Sequence, residues 1–474
     1  MNKLNIHSAL EHFQISHSGL QQVVAAAMSK GADYADLFFE HTVSNRLTLL
    51  DGEVNRVSSN IDYGVGIRAI VGDRTGYAFV ENTNLQDMIR AAQTAASIAS
   101  SSKEFAPVKI EEKSFANHYP IRHPWIGATV DSKKYFLQNL NERIFSLDKR
   151  ATKAVAILND SSSQILFFNS EGLLCADYQP MCFMYAQCTM EDNGQIESGT
   201  SSRSFRMGTE FLSDQLVDTL AKEAVENADL MFKAIKPKGG EMPVVMAAGD
   251  SGILLHEAIG HAFEADFNRK NISIFSDQLG KKICNQNINV VDDGTVNQAR
   301  GSINFDDEGI AGQKTYIVKD GILESFLHDR ISAKHYGVNP TGNGRRESFR
   351  CMPLPRMRVT YMENGEMDEK DIISSVKQGI YVDNFTNGQV QIGAGDFTFF
   401  VKTGYLIENG QLTQPIKDIN IIGNGPQALA DINMIANNLK LDNGVGTCGK
   451  SGQSVPVGYG MPTVLVNKLT VGGE

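Results

Sequence analysis

Residues 249–261, GDSGILLHEAIGH, place two histidines and one glutamate in a run of otherwise apolar and small residues. Catalytic zinc sites need neutral imidazoles that hold the ion, an open position for water and a carboxylate that takes the proton of that water. His256, Glu257 and His261 supply these groups within six residues. The stretch therefore predicts a metal-binding helix that carries its own general base.

The two histidines are five residues apart, one more than in the common zinc-protease pattern. On a regular α-helix this spacing separates the side chains by about 140° around the axis, too far for one ion to reach both. Gly260 directly precedes the second histidine and is a suitable place for a wider turn. We therefore expect the helix to be irregular near Gly260.

A second segment, residues 442–462, reads DNGVGTCGKSGQSVPVGYGMP and places Cys448 in a glycine-rich stretch. Between the two segments lie TGNGRRESF (341–349), PRMRVT (355–360), GQVQI (388–392) and GDFTF (395–399). In this order, the motifs closely resemble the TldD branch of the TldD/PmbA family of metallopeptidases. The resemblance runs from about residue 240 to the end, and the first half offers no motif that would carry it alone.

The resemblance implies that His256, His261 and Cys448 bind the metal and that Glu257 is the catalytic base. Two histidines and one cysteine leave the fourth position of a tetrahedral zinc site for water, which is typical of catalytic sites. Iron is the alternative ion, because imidazole and thiolate donors accept both metals. The residue that stabilises the oxyanion is not identified, and Tyr459, Arg345 and Arg346 are candidates because they lie in the matching segments.

The family resemblance also implies a zinc-dependent peptidase that works inside a closed dimeric chamber. The partner is an identical chain or a paralogue of the PmbA/TldE type, a branch that lacks the His-Glu-His pattern. A β-rich wall beside the metal would bind an unfolded or short peptide as an added strand, through main-chain hydrogen bonds.

Two other kinds of function remain open. Cys448 could be the nucleophile of a cysteine hydrolase, with His256 or His261 as its base. Alternatively, the chain could be a non-catalytic peptide-binding protein with a structural metal. A glutamate beside a ligand has no role in a structural site, which favours the metallopeptidase.

An arginine-rich run also has two interpretations. It contains Arg345, Arg346, Arg350, Arg356 and Arg358. One or two of these could bind a substrate carboxylate or acidic groups of a partner, with Arg345 and Arg346 reaching outward from a Gly-Asn-Gly loop. Otherwise they form internal ion pairs and a solvated surface.

Composition limits the class of protein. The chain has 474 residues, a net charge of −11 and a pI near 5.5. This acidity disfavours nucleic-acid binding, which depends on lysine and arginine, so the DNA-gyrase modulator label also attached to the family is read as indirect. No stretch approaches eighteen apolar residues, and the six cysteines show no disulfide pattern. We expect a cytoplasmic protein that does not enter a membrane.

Hydrophobic periodicity predicts an α+β fold. An N-terminal sheet-and-helix domain, 1–235, precedes a β-rich C-terminal domain, 241–474, with a linker at KPKGG (236–240). In the first domain, strand blocks at 36–80 and 154–200 share a rhythm, and helices are expected at 20–30, 85–100, 132–145 and 212–228. In the second, hairpin turns are expected at 320–321, 364–365 and 409–410, and helices at 368–379 and 426–437.

Overall fold

The structure, a computed structural model, describes residues 5–98, 105–106, 108–444 and 446–473. The predicted helix at 85–100 is present as Leu85–Ala96, and its last two predicted residues lie outside the described part. In the described ranges, no helix is both long and apolar enough to cross a membrane.

One large sheet, flanked by helices, forms the first half of the chain. Its strands are β1 (Tyr34–Leu50), β2 (Glu53–Val71), β3 (Arg74–Val80), β4 (Glu111–Glu112), β5 (Ala151–Asn169), β6 (Leu173–Asp192) and β7 (Gln195–Phe205), and its helices are α1 (Ile6–His12), α2 (His17–Met28), α3 (Leu85–Ala96), α4 (Val130–Leu147) and α5 (Asp214–Lys233). The strand order is β3-β2-β1-β5-β6-β4, with β7 also paired to β6. The two predicted strand blocks therefore join through the antiparallel pair β1–β5 into a single sheet.

The two faces of this sheet have different neighbours, because successive side chains of a strand point to opposite sides. Leu37 and Phe39 of β1 pack in a core with α1, α2 and α3. Phe38, between them, packs instead against Phe305 and Phe349 of the second half. The sheet thus carries helices on one face and the second half of the chain on the other.

The second half is rich in short strands. Its strands are β8 (Gly240–Met246), β9 (Val290–Asp293), β10 (Lys314–Lys319), β11 (Ile322–Leu323), β12 (Gly344–Arg345), β13 (Leu354–Pro355), β14 (Val359–Met362), β15 (Gln378–Val390), β16 (Asp396–Glu408), β17 (Gln411–Ile416), β18 (Ile419–Asn424), β19 (Ile432–Ile435), β20 (Lys440–Leu441), β21 (Thr447–Lys450), β22 (Gln453–Pro456), β23 (Gly458–Met461) and β24 (Val464–Gly472), and its helices are α6 (Ala265–Asn268), α7 (Arg330–Tyr336), α8 (Glu369–Ser375) and α9 (Gly425–Ala430). The predicted α+β class with a β-rich second half is confirmed. The predicted division at 236–240 stays a prediction.

Five strands of the second half close into a ring. Strand β15 pairs with β8, β8 with β24, β24 with β18, β18 with β16, and β16 again with β15. Leu255 and Ile259, from the segment with the two histidines, share a core with Val244, Ile380 and Phe399 of the ring. The segment with the two histidines therefore packs against the ring of strands, which supports it.

Two local predictions for the second half are wrong, and two short helices were not predicted. Residues 364–365 do not turn a hairpin, because Gly365 donates to the carbonyl of Ala436 and the chain continues into α8. The helix predicted at 426–437 ends at Ala430, and its remainder becomes β19, which pairs with β24. Helices α6 and α7 were not predicted, because each is too short for a clear period.

Candidate metal centre

A π-helical turn presents the two histidines. Residues Leu254–Gly260 form a π-helix, and the backbone N–H of His261 donates to the carbonyl of His256, which closes an i→i+5 turn. Residues five apart are thereby brought to the same side, and the two ring centroids lie 5.1 Å apart. The predicted irregularity near Gly260 is present.

Gly260 is required here by close packing. A Cβ at this position would lie 2.8 Å from the carbonyl oxygen of Leu255 and still closer to the sulfur of Met357. Met357 is fully buried, so little room is available for its movement. The wide turn and the tight packing of its last residue thus depend on the same glycine.

The hairpin β21–β22 presents Cys448. Ser451 and Gly452 form its two-residue turn with positive φ values of 52° and 75°, as a type I′ turn requires. The buried guanidinium of Arg356 donates to the carbonyl of Cys448 over 2.6 Å. The hairpin holds the Cys448 sulfur 3.4 Å from Nε2 of His261.

The structure brings His256, His261 and Cys448 together, with one donor atom of each within 4.8 Å of the others. All three are buried, and neither ring nitrogen of His256 has a hydrogen-bond partner among the described residues. Buried polar atoms are rarely left unpaired. Because zinc binds imidazole and thiolate at roughly 2.0–2.3 Å, donors at these separations fit a single ion.

The charge state of the cysteine also suits a ligand. Burial raises the pKa of a thiol, but the imidazoles of His256 and His261 outweigh this effect and lower the pKa of Cys448 to about 5. The sulfur is therefore a thiolate at neutral pH, and a thiolate is the form that binds metals.

Glu264 and Lys450 form a hydrogen-bonded chain that positions the ring of His261. Oε2 of Glu264 lies 3.1 Å from Nδ1 of His261 and accepts a hydrogen bond from Lys450 at 2.9 Å. Burial raises the pKa of Glu264, but Lys450 and His261 overcome this and lower it to about 2. A carboxylate that holds Nδ1 leaves Nε2 free to bind a metal. Neither residue is singled out by the sequence, although each follows a candidate ligand by only two or three positions.

Glu257 lies on the same turn as the two histidines. It is half-buried, and its carboxylate has no hydrogen-bond partner in the described part of the chain. A Cβ built on Gly388 of β15 would lie at an ordinary contact distance of 3.4 Å from its Cγ, and the ring of Phe399, at 2.4 Å, is what requires glycine there. The carboxylate is thus free to interact with a bound molecule.

Of the three oxyanion candidates, only Tyr459 lies near the histidines. Its ring centroid is 6.1 Å from that of His256, and its hydroxyl donates to Asp250 at 3.4 Å. Burial and the Asp250 carboxylate raise the pKa of Tyr459 well above its usual value, so the hydroxyl keeps its proton. It can therefore serve as a hydrogen-bond donor.

Arg345 and Arg346 do not reach outward, which corrects one of the two interpretations of the arginine-rich run. Both are buried, with exposed fractions of 3% and 5%. Arg345 donates to the carbonyls of Met357 and Pro456, and Arg346 to the carbonyl of Asp307. The pairing of β12 with β13 and these hydrogen bonds keep the two side chains in the interior of the protein.

The other arginines of the run differ in environment. Arg356 and Arg358 are also buried and donate to backbone carbonyls. Arg350 forms ion pairs with Asp62 and Glu81 of the first half. Arg350 therefore forms internal ion pairs, which is one of the two interpretations that the sequence left open for this run.

Family models match all three parts of the chain. The PmbA/TldA metallopeptidase models match as domain 1 at residues 35–99, as the central domain at 123–232 and as the C-terminal domain at 239–473. The first half, which offered no motif to inspection, thus carries the family pattern as well.

Sequence relatives cover nearly the whole chain. A metalloprotease TldD homologue of Haemophilus influenzae is 38% identical over 452 residues, which is 94% of each chain. A zinc metalloprotease TldD homologue of Saccharolobus solfataricus is 29% identical and covers 95% of this chain and 99% of its own.

Solved structures share the fold. A protein of Thermotoga maritima described as a candidate modulator of a DNA gyrase superimposes with a TM-score of 0.78 at 21% identity, over 96% of this chain and 99% of the other. TldE of Thermococcus kodakarensis gives a TM-score of 0.73 at 17% identity, over 96% and 100%. With the sequence relatives and the three family models, these likenesses lead to one conclusion: the chain belongs to the TldD/PmbA family of metallopeptidases, enzymes that hydrolyse peptide bonds.

Proposed function

We propose that this chain hydrolyses unfolded or short peptides with a zinc ion held by His256, His261 and Cys448 and with Glu257 as the general base. A zinc ion bound there would polarise the scissile carbonyl and make water a better nucleophile near neutral pH. The observation that carries the proposal is the approach of three buried donor atoms to within 4.8 Å beside a carboxylate that has no other described partner.

Glu257 takes a proton from the attacking water and later returns it to the leaving amine. Glu257 directly follows His256 in the chain, so its carboxylate stays close to the proposed metal centre. The π-helical turn keeps it from being one of the metal ligands. Tyr459 is the proposed donor to the oxyanion, because its hydroxyl stays protonated and its ring lies beside His256; to donate there, the hydroxyl turns away from Asp250, which accepts its single proton in the structure.

The peptide is proposed to bind along β15. This strand pairs with β8 only at residues 380–382. Beyond that point, one edge of β15 pairs with β16, and no described strand pairs with the other edge. Glu257 lies over one face of β15 at Gly388, a residue beyond this pairing, because its Cγ would be 3.4 Å from a Cβ built there. A peptide added along the unpaired edge would be held by main-chain hydrogen bonds that do not depend on its side chains. A folded substrate could not provide these hydrogen bonds.

The active assembly is proposed to be a dimer, either with an identical chain or with a TldE-like paralogue. The likeness in fold to TldE supports a pseudo-symmetric pair. A cytoplasmic location is part of the proposal, and it is supported by six cysteines that are all free thiols. Native mass spectrometry of the chain alone and with the paralogue distinguishes the two assemblies.

The main experiment combines metal analysis with peptide cleavage. We expect about one zinc per chain, and Glu257→Gln to retain it while kcat falls by roughly 10²–10⁴-fold, the usual contribution of a general base. Glu408→Gln, which changes an exposed glutamate of β16, is the matched control. Both variants are assayed with and without the paralogue, and the bound metal is identified as zinc or iron.

Two results would contradict the proposal. If Glu257→Gln lost its metal together with its activity, the glutamate would be a ligand and not the base. If it cleaved the peptide at the native rate, another residue would be the base.

A cysteine hydrolase is favoured by one observation, the lowered pKa of Cys448 beside two imidazoles. Against it, the residue is 1% exposed, so its sulfur has little room for a substrate carbonyl. Thiol alkylation that inhibits an enzyme unaffected by chelators would support this alternative. A metal that is retained by a protein without peptidase activity, alone or with the paralogue, would support a structural metal instead.

A further inference from the structure

A cavity of about 300 Å³ lies between the sheet of the first half and the second half of the chain. Side chains of β1 and β5, such as Thr42 and Ser163, form one wall, and Pro456 of β22 forms part of the other. Five arginines also line it: Arg206, Arg300, Arg345, Arg346 and Arg358. Such a density of cations is unusual in a chain with a net charge of −11.

These arginines are buried without close counter-ions. Arg206, Arg345, Arg346 and Arg358 are 2–5% exposed. Among the described carboxylates, only Asp36 comes within 4.0 Å of the guanidinium group of any of the five, at 3.7 Å from that of Arg346. Backbone carbonyls are the main partners instead, as for Arg345. Carbonyl oxygens satisfy the N–H groups, but they do not neutralise the charge, and an uncompensated buried charge is costly.

Three N–H groups of the cluster lack even such a partner. Nε of Arg206, Nε of Arg346 and Nη2 of Arg358 are buried and have no hydrogen-bond acceptor in the described structure. Unpaired buried donors are rare, and because these three nitrogens are covered in the unliganded structure, an acceptor in the cavity reaches them when their side chains turn towards it. An acceptor that also carries negative charge would satisfy the donors and the charges together.

The carboxylates of the cavity wall do not fill this role. They are Glu40, Asp307 and Glu347, fewer than the arginines. Glu40 already accepts hydrogen bonds from Thr42 and from the backbone of Phe349, and Asp307 accepts one from the backbone of Arg346. The cavity therefore keeps an excess of positive charge.

We propose that this cavity is a binding site for an oxyanion, a carboxylate or a phosphate, distinct from the metal centre. Guanidinium groups bind both through paired, charge-assisted hydrogen bonds. Two sources offer this chemistry: a small free oxyanion, or the terminal carboxylate of a bound peptide. Arg345 links the cavity to the hairpin with Cys448 by donating to Pro456, the residue paired with Thr447, so an occupant rests against the back of that hairpin.

The site is tested by calorimetry in a chloride buffer on the metal-loaded Glu257→Gln variant, which should not cleave the peptide probes, and the phosphate titration is repeated on the native protein, so that the result does not depend on the proposed hydrolysis. The probes are inorganic phosphate and one short peptide with a free or an amidated C-terminus. We expect phosphate to bind with an affinity that falls as the salt concentration rises. A preference for the free over the amidated peptide identifies a peptide terminus as the occupant, and equal binding of the two peptides identifies a free anion.

Arg300→Gln is the decisive variant, because Arg300 is the least buried of the five arginines and its loss disturbs the core least. We expect it to weaken phosphate binding at least about tenfold. Arg350→Gln removes the same charge from a residue that pairs with Asp62 and Glu81 outside the cavity, and should leave the affinity unchanged.

Glu40→Gln gives a second, opposite readout. At pH 8, above the raised pKa of about 7 of this buried carboxyl, the change removes negative charge from the cavity wall, so phosphate should bind more tightly there. The proposal is overturned if neither phosphate nor the free-carboxylate peptide binds, or if Arg350→Gln weakens binding as much as Arg300→Gln does.

Discussion

The single residue with the largest expected effect on metal affinity, apart from the proposed ligands, is Glu264. It is fully buried and holds Nδ1 of His261. Glu264→Gln should weaken zinc binding about 10–100-fold, the usual effect of losing a carboxylate behind a histidine ligand. Asp266→Asn is the control, because Asp266 also accepts from Lys450 but contacts no proposed ligand. Chelator competition measures both, and equal losses would mean that Lys450, and not the histidine contact, carries the effect.

Glu40 should make the stability of the fold depend on pH. Burial raises its pKa from 4.5 to about 7, despite hydrogen bonds from Thr42 and from the backbone of Phe349 that oppose the shift. The folded state therefore holds this proton more tightly than the unfolded state does, and stability falls as pH rises from about 4.5 to about 7. The loss from this group is on the order of 3 kcal/mol.

Urea unfolding of the native chain and of Glu40→Gln, compared at several pH values between 5 and 8, measures this effect. The difference in unfolding free energy between the two proteins should grow in favour of the variant as pH rises. A difference that stays constant would show that Glu40 titrates normally.

At the residue level, the sequence was informative where chemistry is written in a short motif. His256, Glu257 and His261 were found by their types and spacing alone, and Cys448 by its resemblance to the family pattern. Glu264 and Lys450 were missed because carboxylates and lysines are common, and only their burial at the metal centre distinguishes them. For Arg345 and Arg346 the sequence left an outward and an internal position open, because a Gly-Asn-Gly loop does not reveal that its flanking side chains turn inward.

The π-helical turn is the element on which the proposed metal centre most depends. Gly260→Ala would place a methyl group against the carbonyl of Leu255 and the sulfur of Met357. We expect a loss of about 1–3 kcal/mol in stability, typical of overpacking, together with weaker zinc binding. Gly449→Ala, beside Cys448, is the control, since a Cβ there meets no atom within 4 Å. Thermal melts and zinc titrations compare the two, and a harmless Gly260→Ala would mean that the turn does not need glycine.

Among the elements, long periodic segments were predicted well and short ones poorly. The helix expected at 212–228 is the core of α5, and both predicted strand blocks are long strands. The helix expected at 426–437 failed because pairing with β24 outweighed the local preference of residues 432–435. Local sequence contains no information about a partner strand more than thirty residues away.

In the whole molecule, the two halves are joined through a buried ion cluster. Arg68 of β2 pairs with Asp36 of β1 and, over 2.7 Å, with Glu308 of the second half. Arg68→Met should cost about 3–5 kcal/mol, because it leaves two buried carboxylates without their cation. Arg90→Met, which breaks an exposed pair with Asp87, should cost less than about 1 kcal/mol. Denaturant unfolding measures both, and similar costs would show that the cluster is not what joins the halves.

The ring of strands has a consequence for synthesis on the ribosome. Strand β24, residues 464–472, lies between β8 and β18, so the ring that supports the histidine turn stays open until these late residues have emerged. A growing chain that already exposes both histidines therefore lacks a finished scaffold for them. Unfolded nascent polypeptides, the kind of substrate proposed here, are thereby protected from an enzyme that is still being made.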